Sequence, residues 1–318
     1  MSTIRNMKSL ASSVLFCSVL VLLASCSYAV LSTIVSLAVG AGYGIPVVLV
    51  GKFFYGWIIL CLLFGIVLAV TRKHRAKKVE MDGKRICSLA GTGIVMALVT
   101  VCYFYSLTYL PISLAVVLLF QYSWMGVVLE SAVNRKLPSR SKVISCLVIL
   151  LGTVLAGGII GSQLSLADMN PIGILLGLAA AFCYAFFVFL SGRVSTDMQP
   201  LSKSFSIATA GMLFVLLFVG TLYGGAAVLE GITNVGTLAY SIPLGLFGIV
   251  IPIIFLAVGA PKISTGMATI LNSAELPVEV LLAAVIILEP VAPLRWAGVL
   301  IILFGIALPY ILEKRVVT

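Results

Sequence analysis

Apolar residues run through this chain in long uninterrupted blocks, with short polar joins between them. A helix needs about 20 apolar residues to cross the hydrocarbon core of a bilayer. Hydrophobic residues fill 62% of the 318 positions, enough for about ten such helices. Charged residues fill 9%, against roughly 25% in a soluble domain. So few charges cannot cover a water-exposed surface of this size. The chain reads as an all-α polytopic membrane protein. The same arithmetic excludes a soluble enzyme, a secreted disulfide scaffold and a disordered chain. A β-barrel is disfavoured, because its strands alternate apolar and polar positions.

The polar joins place ten spans near residues 11–38, 45–70, 86–109, 111–133, 142–162, 171–192, 202–224, 237–260, 263–288 and 294–312. Pro111 suits the first turn of the fourth, where its missing N–H is not needed. The net charge of +10 is informative through its placement, not as a sign of nucleic acid binding. With the N-terminus inside, 18 of the 20 Lys and Arg residues fall on the cytoplasmic side. Arg295 falls outside and Lys52 within a span. That asymmetry predicts a multi-pass plasma (inner) membrane protein with both termini cytoplasmic. One competing reading exists at the start of the chain. Lys8, an apolar run and Leu23-Ala24-Ser25-Cys26 resemble a lipoprotein signal, whose cleavage would remove most of the first span. The later counterpart of this segment argues for an intact span.

That counterpart belongs to an internal repeat. Ser27-Tyr28-Ala29 returns as Cys183-Tyr184-Ala185, and Leu62-Leu63-Phe64 as Leu216-Leu217-Phe218. Ile112-Ser113 returns as Ile263-Ser264, and Leu150-Leu151-Gly152 as Leu303-Phe304-Gly305. The matches are collinear, so the chain divides into two five-span units, residues 1–165 and 166–318. Five is odd. A second unit that follows the first must therefore lie inverted across the membrane. Two inverted repeats are a recurrent plan of secondary transporters, with the substrate held near the midplane between them.

The run Glu275-Leu276-Pro277-Val278, Leu288-Glu289, Gly298 and Gly305 resembles the signature of the drug/metabolite transporter superfamily, in chains with two EamA-type domains. The first half is similar but weaker: Gly126 stands where the family usually has proline, and Asn134-Arg135-Lys136 where it often has glutamate. The resemblance implies a solute path lined by spans three, four, eight and nine. It does not imply a substrate.

Polar groups inside spans are candidates for function by default. Asn272, Glu275 and Glu279 fall at i, i+3 and i+7 of the ninth span, on one helical face, with Pro277 between the carboxylates and able to free backbone carbonyls there. Two carboxylates one turn apart in a low dielectric resist carrying charge together. Glu275, the deeper, is the first choice to carry a proton; Glu279 would tune it. Lys52 would pair with a substrate carboxylate or an acidic residue, or else snorkel to the headgroups. Gln121 and Trp124 share a face of the fourth span and could stack on and hydrogen-bond a planar solute. Tyr28 and Tyr184 occupy repeat-related positions that could face one cavity. Glu130, near the inner end of the fourth span, would meet Arg135 or interfacial water, or serve a gate.

The seven cysteines form no CxxC pair, and the one histidine is His74, so no metal site or other cofactor is expected. No Walker sequence or catalytic triad motif occurs, so neither an ATP-driven pump nor an enzyme is expected. The expectation is a permease moving a small organic metabolite or drug-like solute by alternating access, as a proton antiporter or a facilitator. Its partners would be that solute, protons and the lipid bilayer. The alternatives are a flippase for a lipid-linked headgroup and a membrane sensor or scaffold without transport.

Cysteines placed singly at Lys77 and Asn234 should label from opposite faces of the membrane with an impermeant thiol reagent. Labelling of both from one face would overturn the ten-span map.

Overall fold

A computed structural model describes residues 2–71, 81–158, 170–286, 288 and 290–314. Glu289, Asp168 and the basic residues Arg72–Lys78, including Lys77, lie outside them. All elements among the described residues are helices. The first three are α1 (Ser2–Gly40), α2 (Ile45–Thr71) and α3 (Gly83–Tyr109). The fourth expected span is two helices, α4 (Ile112–Leu119) and α5 (Tyr122–Asn134), followed by α6 (Arg140–Ala156). Then come α7 (Pro171–Arg193) and α8 (Pro200–Thr233). The eighth expected span is α9 (Leu238–Gly245), a π-helical turn at Leu246–Val250, and α10 (Ile251–Gly259). The ninth is α11 (Thr265–Asn272) and α12 (Glu275–Ile286), and the last helix is α13 (Pro293–Lys314).

Nine segments among the described residues are long and apolar enough to cross a bilayer, which makes this a multi-pass membrane protein. The fifth expected span, 142–162, appears as the 17-residue α6, and residues 159–169 lie outside the description. Cys26 sits within continuous α1. The seventh span runs past its expected end at 224. Gly224, at φ 82°, kinks α8, and residues 225–233 continue as a second helical stretch against α2. There Tyr55 Oη donates to the Ile232 carbonyl at 2.6 Å.

The two broken helices interrupt at Phe120–Gln121 and at Ser273–Ala274, an offset of 153. Each break frees a carbonyl, and a nearby side chain covers it. Gln121 Nε2 donates to Val117 O at 3.0 Å, and Ser273 Oγ to Thr269 O at 3.3 Å. Such coverage is obligatory where no water is at hand. Pro277, expected to interrupt the ninth span, instead occupies the first turn of α12, where N–H groups lack helical partners anyway. The interruption lies upstream, at Ser273–Ala274.

Packing repeats with exchange of halves. α1 packs on α10, and α7 on α3; α1 also packs on α12, and α7 on α5. α2 pairs with α8, α5 with α11, and α6 with α13. Lipid is as apolar as leucine, so helices associate through close packing of small residues and interhelical hydrogen bonds. The α6–α13 seam uses both. A Cβ on Gly298 would lie 2.7 Å from Gly152 O, and Ser145 Oγ donates to Gly305 O at 2.6 Å.

Gly298→Ile should push α13 off α6 and destabilise the protein by about 1–3 kcal/mol, the usual cost of overpacking. Thermal unfolding in detergent reads this, with Gly298→Ala milder. An unchanged midpoint would mean the seam tolerates separation.

Candidate functional site

A cavity of about 350 Å³ opens into the bundle between the two halves. Its walls follow helical spacing. α1 contributes Tyr28, Ser32, Val35, Ser36 and Val39, and α3 contributes Met96, Thr100, Tyr103, Phe104 and Leu107. Both sets recur every three to four residues, so each is one helical face. α4 adds Ile112 and Val116, the start of α5 adds Tyr122, and α7 adds Tyr184 and Phe187. Val39, Ile45, Leu107 and Ile112 stand at the ends where α1 joins α2 and α3 joins α4. That end is the mouth.

The charged groups lie deeper, with Lys52 from α2 and Glu275 and Glu279 from α12 all lining the cavity. Lys52 is only 4% exposed, so it is buried and does not snorkel to the headgroups. Its Nζ donates to Thr100 Oγ1 at 3.3 Å. The π-helical turn makes room for it: a Cβ on Gly248 would lie 2.8 Å from Lys52 Cε. Lys52 and Glu275 interact through their charges but form no direct ion pair.

Three phenol rings meet beside Glu275. Tyr28 and Tyr184, paired by the repeat, touch edge to face at 5.9 Å, and Tyr122 lies 4.4 Å from Tyr184, centroid to centroid. The Tyr184 hydroxyl is buried without a hydrogen-bond partner among the described residues.

The structure thus brings Lys52, Glu275, Glu279, Tyr28 and Tyr184 to one cavity, and leaves four other candidates elsewhere. Gln121 and Trp124 do not line it. Gln121 covers the Val117 carbonyl and accepts from Trp124 Nε1 at 2.9 Å, so the pair splints the broken helix. Asn272 does not line the cavity with Glu275, and the helix breaks between them at Ser273–Ala274. It is fully buried, and both its side-chain polar atoms lack a hydrogen-bond partner among the described residues. Gly126, the departure from the family's proline, admits Thr269, whose Oγ1 donates to Ser123 O at 3.1 Å. The sequence reading missed Thr100, Tyr103 and Tyr122 as lining residues. Thr100 and Tyr103 were traceable as a polar-aromatic face in α3. Nothing in the sequence marked Tyr122 beyond its place next to Gln121.

Glu130 closes the end opposite the mouth, and its partner is Lys142, not Arg135. Lys142 Nζ lies 3.0 Å from Glu130 Oε2 and donates to Ser264 Oγ at 2.8 Å. Glu130 Oε2 also accepts from Gly266 N at 2.8 Å, at the positive end of α11. One carboxylate therefore ties α5 and α6 to α11. Beside it, Arg193 Nη2 donates to Asn134 Oδ1 at 2.8 Å. Arg85 pairs with Asp197 at 3.0 Å, and that hydrogen bond holds the exposed Asp197 carboxyl below its usual range.

Comparison with known proteins bears on the second half. Residues 171–311 match the EamA-like transporter family. The match spans α7 to within α13 and leaves residues 1–170 uncovered. A crystal structure described only as "Crystal structure of protein" has the same fold, with a TM-score of 0.72, 97% of this chain and 99% of that chain covered, and 18% identity. A search of curated proteins gave no match.

Glu130→Ala should cost about 1.5–3 kcal/mol, the scale of hydrogen bonds to a charged group. It should also raise labelling of a cysteine at Ser264 relative to the parent background. Glu130→Gln, which keeps an acceptor for Gly266, should cost less. Equal stability and equal labelling in all three proteins would remove the latch.

Proposed function

We propose that the chain is a secondary transporter for a small organic solute, built as ten spans in two inverted halves that rock about the cavity. The observation that carries this reading is a mid-bundle cavity, charged at its floor, open at one end and tied shut at the other by Glu130, Lys142 and Ser264. Such an arrangement is one state of an alternating-access cycle. Three further observations support it. The helix breaks recur at an offset of 153. The packing partnerships recur with the halves exchanged. The second half matches a transporter family.

In this reading α6 is the fifth span and brings the count to ten, the first half is a second EamA-type unit, and both termini are cytoplasmic in the plasma membrane. The mouth faces outward, opposite the basic loops. Closing the mouth brings α1, α3 and α4 together. Breaking the Glu130 latch opens the other end. Lys52, Glu275, Glu279, Tyr28 and Tyr184 hold the solute. Glu275 is the coupling residue and exchanges a proton with whichever aqueous face the cavity meets. Moving a charged carboxylate out of water costs several kcal/mol, so a site that loads and unloads a proton crosses more cheaply than a bare anion.

Metabolite profiling of cells with and without the protein identifies the solute. Transport in proteoliposomes then tests the coupling residue. Glu275→Gln should abolish the response to a proton gradient and, because the same carboxylate helps hold the solute, weaken exchange without abolishing it. A variant with the parent's full pH response would make Glu275 structural. Solute pools identical with and without the protein would refute transport.

A further inference from the structure

An open pocket of about 630 Å³ lies at the end of the bundle opposite the cavity mouth, between the start of α3, the end of α7 and the join from α7 to α8. Three cations line it: Lys84 and Arg85 in the first turn of α3, and Arg193 in the last turn of α7. Both acidic groups of the pocket are already engaged. Asp82 caps α3 by accepting from Gly83 N at 2.7 Å, and Asp197 pairs with Arg85 Nη2 at 3.0 Å. Lys84 and Arg193 have no carboxylate within ion-pair reach among the described residues. Arg85 Nη1 is buried without a hydrogen-bond partner among them. The pocket therefore has positive charge to spare, and Ser88, Ser195 and Thr196 add hydroxyls to its lining.

Basic residues gather at one end of many membrane proteins, so charge alone assigns nothing. The surface that runs from this pocket into the membrane is more specific. Arg193 Cζ stands 4.5 Å over the Phe189 ring. Phe189 stacks on Phe186 and Phe186 on Phe182, with centroids 6.0 and 6.1 Å apart and planes 11° and 10° from parallel. Positions 182, 186, 189 and 193 share one helical face. α7 is long and apolar enough to span a bilayer, and Phe182 is 54% exposed on it, so this ladder of rings meets hydrocarbon. From Phe182 to Arg193 the helix rises about 16 Å, at 1.5 Å per residue. That is close to the depth of one leaflet, half of a hydrocarbon core about 30 Å thick.

We propose that this surface binds an anionic phospholipid, with its phosphate on Lys84, Arg85 and Arg193 and an acyl chain along the phenyl ladder. The surface is separate from the mid-bundle cavity and does not depend on what that cavity carries. Guanidinium groups suit a phosphate, which accepts several of their N–H bonds at once. A choline headgroup would bring its own cation into a basic pocket and gain less. A phosphate without a tail would meet the same cations but leave the ladder unused. A lipid seated here touches α3, α7 and the join to α8 together, so its binding stabilises the folded chain.

The test uses the full-length chain purified in a neutral detergent and three probes: phosphatidylglycerol, phosphatidylcholine and the tail-free glycerol 3-phosphate. Native mass spectrometry counts bound lipid, and thermal unfolding reads stabilisation. Phosphatidylglycerol should bind at least about fivefold tighter than phosphatidylcholine, the scale of one cation near a membrane surface. Lys84→Gln and Arg193→Gln should each weaken phosphatidylglycerol by about that factor and leave phosphatidylcholine unchanged. Phe186→Ala should weaken both lipids. Lys262→Gln, exposed at the same end but outside the pocket, should change neither. Arg193→Gln also loses the bond to Asn134, so the exposed Lys84 keeps the test open if that variant does not fold. Equal affinity for the two lipids overturns the proposal, as does parent-like affinity in Lys84→Gln. A loss in Lys262→Gln as large as in Lys84→Gln overturns it too, leaving only the general attraction of a basic face. Stabilisation by glycerol 3-phosphate as strong as by phosphatidylglycerol overturns it in favour of a soluble anion.

Discussion

Backbone amides inside a bilayer have no water to fall back on, and this constraint organises the structure. Every described segment that enters the apolar layer is helical, because a helix satisfies its own N–H and C=O groups. Where a helix stops short, something must cover the freed groups. Gln121 and Ser273 do so within the broken helices, and Ser25 Oγ donates across to the Asn272 carbonyl. The cavity lies against these breaks. Irregular backbone and cavity thus occur together: a membrane protein tolerates interrupted helices only where protein or a cavity surrounds them.

The same constraint explains the treatment of charge. Lys142 and Glu130 sit at a helix end and share one another, a serine hydroxyl and a backbone N–H. They need nothing more, and they hold two halves together. Lys52 and Glu275 sit in mid-bundle with walls of apolar side chains and are not paired. One cluster is satisfied within the protein and acts as a fastening. The other has charged groups that form no direct ion pair with each other. Space for it comes from small backbone adjustments, such as the π-helical turn that sets Gly248 against the Lys52 stem.

Packing differs in kind between two seams of the bundle. The α6–α13 seam is dense with glycine contacts and interhelical hydrogen bonds. The latch across α5, α6 and α11 is a handful of polar bonds. A dense seam resists separation, whereas a few polar bonds can be exchanged for water when an end opens.

Much of the fold was legible in the sequence. Transfer of a segment into lipid is a local sum over its own side chains, so the apolar blocks marked most helices closely, though α8 runs past its expected end at Gly224 to Thr233. The offset of Tyr28 from Tyr184 anticipated their contact, and the identity of Glu275, Glu279 and Lys52 as unusual polar groups within spans marked the cavity floor. The breaks at Phe120–Gln121 and Ser273–Ala274 were not legible. They depend on distant groups that cover the freed carbonyls and on neighbours that fill the gap, and neither leaves a periodic signal. One such break separates Asn272, which does not line the cavity, from Glu275, which does. Gln121 and Trp124 looked like solute contacts because residue type shows what a group can bond. Only the tertiary structure decided what each one does bond, since every buried polar group takes the nearest partner the packing allows.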